Sequence, residues 1–131
     1  MEMEMEKVMT NFEQKLMEYP VLIEKLELKI LTQGGGIGKL NDAMKGWEAE
    51  QMSEIAGNKE FSNAQKRAAE LNERKNYNND YLDNVDMLVS LEIKMKKDSI
   101  KLSRLSNEQR NYRALCYNNW NLIIIHKNID L

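Results

Sequence analysis

Residues 62–117 contain neither proline nor glycine, a run of 56 residues. No other feature constrains the fold as strongly. The run reads as one long helix. Ser62 is placed as an N-cap, and Gln65 three residues later completes a capping-box pattern. At ~1.5 Å per residue such a helix would run about 84 Å. That is longer than a compact domain of this chain length is wide, so the helix must lie along other helices.

The apolar residues of this run fall into two helical stripes. Leu82, Val85, Val89, Ile93 and Ile100 form one; Leu88, Leu91, Met95, Leu102, Leu105 and Tyr112 form the second. Asp98 and Gln109 interrupt the second stripe at core-type positions. Together the stripes make a face wider than a two-stranded coiled coil requires. From Arg74 to Asp80 the pattern is polar all round, and the helix is expected to bend or loosen there.

A first helix is expected over residues 1–19, with Met5, Met9, Phe12, Leu16 and Tyr19 on one face and glutamates at its start, where negative charge suits the helix dipole. Pro20 should bend or restart it. Val21 to Leu31 resumes the helical pattern, although Leu26 to Ile30 also alternates as a short strand would. The run Gly34-Gly35-Gly36-Ile37-Gly38-Lys39 has the look of a phosphate-binding loop but fails its requirements: Gln33 stands where the first glycine is needed, and Leu40 where Ser or Thr must follow the lysine. It reads instead as a hinge. Ile37, Leu40, Met44, Trp47, Gln51 and Ile55 restore a helical face, and Gly57-Asn58 marks its end.

Two arms of nearly equal length thus flank a short turn. The expected fold is all-α, a single domain: a long antiparallel helical hairpin or coiled coil, or a bundle if the first arm folds back at the glycine run. Its parts are arm 1 over 2–56, a turn over 57–61, arm 2 over 62–117 and an apolar tail over 118–131. Folding at the turn sets residue i near residue 119 − i, so Leu26 should lie near Ile93, Leu16 near Leu102, and the glycines near Asp83 to Val85. Charge agrees with this pairing. Residues 1–30 carry seven acids and four bases, whereas residues 93–113 carry seven bases and two acids. In the tail, Leu122 to Ile125 reads as a strand, a last helical turn or a docking segment, and together with Trp120 should be covered by its own chain or a partner.

Composition excludes several classes. With 31% charged residues, 7% aromatics and a single proline, it does not suit a sandwich, barrel or doubly wound sheet. A net charge of −2 exerts no global attraction on nucleic acid or membrane. Cys116 is the one cysteine and His126 the one histidine, so no zinc site and no nucleophile–base dyad is indicated. No stretch approaches the ~20 apolar residues that span a bilayer. The Met/Glu alternation at the start is not a signal-peptide pattern, and the expected location is cytoplasmic.

The segment Asn63-Ala64-x-x-Arg67, with Glu92-Ile93-Lys94 through Leu105 and Asn111-Tyr112-Arg113, resembles phage-encoded helical-hairpin proteins of the replication and recombination region, over residues 55–115. The resemblance implies an accessory, non-enzymatic role and transfers no functional residues.

The sequence therefore points to a non-catalytic protein–protein interaction module, a phage accessory or inhibitor protein, with antagonists of host defence such as CRISPR as a special case. No cofactor is expected. A protein partner and homodimerisation are, since two helices side by side leave part of the double stripe uncovered. Candidate partner or dimer contacts are Leu88, Leu91, Met95, Leu102, Trp120, Ile123 and Ile125. The alternative is a nucleic-acid-binding accessory using the basic face of Lys94, Lys97, Lys101, Arg104, Arg110 and Arg113. Those same residues could instead pair with the acidic first arm.

Overall fold

The computed structural model describes residues 2–129, with no strand among them. Helix α1 spans Glu2–Ala56, α2 Ala64–Tyr77 and α3 Asn79–Ile129. The fold is all-α, and α1 packs against α3. The chain forms two compact units. A terminal unit holds residues 1–30 and 97–131, and a loop unit holds residues 31–96.

In the terminal unit the seam follows steps of three and four. Tyr19 and Leu26 of α1 are buried. Leu102, Leu105, Gln109, Tyr112 and Cys116 of α3 are half-buried. The Tyr19 and Tyr112 rings lie 5.5 Å apart, and Lys15 sits 5.8 Å over the Tyr112 ring. Asp98, which interrupts the apolar stripe, is accounted for by its ion pair with Lys29 at 3.4 Å. Helix α1 runs through Pro20, and residues 26–30 are helical rather than extended. The 118–129 stretch is helical as well. Trp120, expected to be covered, is 52% exposed. The Leu122–Ile125 side chains, Ile123 and Ile125 among them, lie outside the described residues.

The loop unit contains the turn. Helix α1 ends at Ala56, where the Gly57 N–H donates to the Ser53 carbonyl at 3.2 Å. The Asn58 side chain accepts from the Glu60 N–H, and the Phe61 N–H returns to the Asn58 carbonyl. The next cap is Asn63, one residue beyond Ser62: its Oδ1 accepts the Lys66 N–H at 2.9 Å, and its backbone is extended. The loop therefore covers residues 57–63.

Nor is the second arm one helix. It breaks at Asn78, inside the polar stretch. The Asn78 N–H donates to the Lys75 carbonyl, closing α2, while its side chain accepts the Tyr81 N–H at 2.9 Å, opening α3. One asparagine serves as C-cap and N-cap in turn.

The glycine run forms no hinge. Residues 34–38 lie inside α1, with no left-handed glycine. The seam positions on either side of Gly34 to Gly36 are Gln33, which is buried, and Ile37, which is half-buried, so the packing stripe passes through unbroken. Packing of that stripe outweighs glycine's poor helix propensity.

The register differs too. Lys29 meets Asp98, where the simple fold-back places it near residue 90, an offset of eight residues. Leu26 therefore falls away from Ile93, and Leu16 away from Leu102. Gly36 lies against Leu91 and Gly34 against Met95, not against Asp83 to Val85. The cause is visible at the turn: Glu54, in the last turn of α1, meets Arg74 near the far end of α2. The fold-back rule would place Glu54 near residue 65, so the offset is already present at the turn.

Candidate functional site

Where the polar stretch crosses α1, the loop unit carries a clamp of side chains. The Trp47 and Tyr81 rings lie 4.9 Å apart. The Tyr81 hydroxyl donates to Glu48 Oε1 at 2.7 Å, and Lys75 Nζ reaches the same oxygen at 3.2 Å. Lys75 also lies 5.7 Å over the Tyr81 ring. Arg74 binds Glu70 at 2.9 Å, the Gln51 side chain at 2.8 Å and Glu54 at 3.5 Å. Beside the clamp is an open recess of about 600 Å³, lined by Trp47, Gln51, Arg74, Tyr77, Asn78 and Asn79 among others.

The electrostatics are those of a fastener. The hydrogen bond from Tyr81 holds the Glu48 carboxyl below its ordinary range, against a smaller opposing effect of burial, and Lys75 lowers it further. Burial pushes the Lys75 ammonium down, but its bond and charge pairing with Glu48 prevail and raise it. Burial and then the Glu48 bond raise Tyr81. At neutral pH the carboxylate is charged, the lysine charged and the phenol protonated. None of the three is poised to exchange a proton there.

Because the Glu48 pKa is lowered on folding, its contribution is complete above the ordinary carboxylate value and disappears as pH falls through the folded value. Denaturant midpoints measured from neutral to acid pH should therefore fall on the acid side. Tyr81→Phe removes the main cause of the shift and should flatten that fall. An unchanged acid limb in Tyr81→Phe would show that the hydrogen bond does not set it.

The clamp was not legible in the sequence, because Glu48 lies 33 residues from Tyr81. The one available signal was Trp47 on the restored helical face, facing an otherwise polar stretch.

The predicted basic residues are all exposed. In the terminal unit Lys97, Lys101 and Arg104 follow helical spacing on α3, with Arg110 and Arg113 further along; Lys94 belongs to the loop unit. None of the six forms an ion pair with a described acidic side chain. The expected pairing with the acidic first arm is thus not made among the described residues.

The two apolar stripes separate. Leu88, Leu91, Met95 and Leu102 are half-buried, and Leu91 and Met95 reach Gly36 and Gly34 of α1. These candidate partner contacts lie in the intramolecular seam. Most of the other stripe faces outward: Leu82, Val89 and Ile93 are 38%, 48% and 50% exposed in the loop unit and Ile100 is exposed in the terminal unit, whereas Val85 is half-buried. In the terminal unit Trp120 also lines an apolar recess of about 400 Å³ with Leu16, Cys116 and Tyr117, rimmed by Glu13 and Arg113.

Among the described residues no group of three or more His, Cys, Asp or Glu side chains is placed to hold a metal ion, and no helix is long and apolar enough to cross a membrane. No protein-family profile matches the chain, and neither a curated protein nor a solved structure is significantly similar to it.

Proposed function

We propose that the chain is a non-catalytic helical interaction protein. The observation that carries this reading is the outward stripe of Leu82, Val89 and Ile93, at helical spacing on a helix whose other apolar face is already used. Singly scattered exposed apolar residues are ordinary; apolar residues aligned on one helix face support an interaction surface. The clamp, with its saturated charges, supports a scaffold rather than a reaction centre. The resemblance in residues 55–115 favours a phage accessory or inhibitor working in the host cytoplasm, including an antagonist of a defence system such as CRISPR.

A photo-crosslinking residue at position 89 or 93, introduced in cells producing the full chain, tests this. Protein adducts are expected from these two positions and not from Asp83, on another side of the helix. Equal labelling at all three, or none at any, would overturn the reading.

A second reading, nucleic-acid binding, draws support from the exposed cations Lys97, Lys101 and Arg104, which pair with no described acid. It predicts that labelled single-stranded DNA binds with an affinity falling steeply as salt rises. The first reading predicts no binding at moderate salt.

A further inference from the structure

The outward stripe of α3 has a symmetry that identifies its partner. Within the loop unit it reads Leu82, Asp86, Val89, Ile93, Lys96, in steps of four, three, four and three. By helical geometry it lies roughly 150° around α3 from the seam. Leu82, Val89 and Ile93 are exposed, and so are Asp86 and Lys96. The stripe mirrors itself about Leu91: Val89 answers Ile93, and Asp86 answers Lys96. In sequence the pattern runs one step further to Ile100, which answers Leu82.

We infer that this face binds a second copy of the chain, with the two α3 helices antiparallel about a twofold axis near Leu91. In that arrangement Val89 packs on Ile93 of the second copy, and each Asp86 meets a Lys96. The ends of the face agree. Asp86 lies toward the start of α3 and Lys96 beyond the axis, so acid faces base at both ends. A parallel pair would set Asp86 on Asp86 and Lys96 on Lys96. Isologous contact of this kind needs a self-complementary patch, and the mirrored stripe is one.

The inference rests on the stripe being an interaction surface, and charge exchange separates the two claims. Asp86→Lys alone sets lysine on lysine across the axis, and Lys96→Asp alone sets aspartate on aspartate. Each should weaken self-association roughly tenfold by sedimentation equilibrium. Asp86→Lys/Lys96→Asp should restore it. An equimolar mixture of the two single variants should also restore it, as a heterodimer visible by native mass spectrometry, because every contact is then complementary. These substitutions are on the surface, and circular dichroism should show that helix content is kept. A wild type that stays monomeric at high micromolar concentration, or single variants as strongly associated as wild type, would overturn the inference. Crosslinks from positions 89 and 93 to a different protein, with no chain-to-chain adduct, would overturn it while sustaining the wider reading. No adduct of either kind would overturn both.

Discussion

Replacing Gly34, Gly35, Gly36 and Gly38 together by alanine is expected to stabilise the loop unit by about 3 kcal/mol. Each glycine in a helix interior is ~0.8–1 kcal/mol less favourable than alanine. Here all four are helical, and none has a backbone that only glycine adopts. Space permits the change. A Cβ at Gly35 or Gly38 meets nothing within 4 Å; at Gly34 it would lie 3.7 Å from Met95 Cε, and at Gly36 3.5 Å from Leu91 Cδ1. Those last two are ordinary contacts and add packing to the propensity gain. The denaturant midpoint should rise with an unchanged slope, and the melting temperature by roughly 10 °C. No gain would mean that this segment is not helical in solution, and that the hinge suggested by sequence is correct after all.

That outcome bears on what the sequence could reveal. The helical nature of the chain, its turn after Ala56 and its polar break near Asn78 follow from local residues: periodic apolar side chains, Gly57 and a cluster of asparagines. The continuity of α1 was also present in the sequence, in a subtler form. Glycines occupy 34, 35, 36 and 38, while the seam positions 33, 37 and 40 hold Gln, Ile and Leu. The apolar spacing of Ile37 and Leu40 carries the helical pattern across the glycines.

The register was not legible, and the reason is general. Sliding one helix past another by about two turns returns nearly the same stripe to the same neighbour, so periodicity alone leaves register weakly fixed. Single long-range pairs settle it: Lys29 with Asp98, Tyr19 with Tyr112, and Glu48 with Lys75 and Tyr81. None has a local signature. The same limit hid which stripe of α3 faces α1. Both stripes have helical spacing, and the close approach of Leu91 and Met95 to two glycines decides between them.

Ile55→Ala should produce the largest loss from a single side chain, about 3 kcal/mol. Ile55 is fully buried, at 0% exposure, in a structure where most apolar residues are half-exposed. It closes α1, and its carbonyl accepts the Asn58 N–H at 3.1 Å, so the turn is built directly on it. Removing three carbon atoms forfeits about 2.4 kcal/mol of transfer energy at ~0.8 per methylene, and the cavity left behind adds to that. Ile55→Val, which removes one carbon, should lose about 1 kcal/mol. Ile93→Ala is the counterpart on the outward stripe. At concentrations below those of self-association it should change stability by no more than about 0.5 kcal/mol, as surface substitutions do. Above them, its effect should grow as the face becomes buried. Urea denaturation of the three variants, each at low and high protein concentration, separates the two roles. If Ile55→Ala behaved like Ile93→Ala at low concentration, the turn would not be anchored at Ile55.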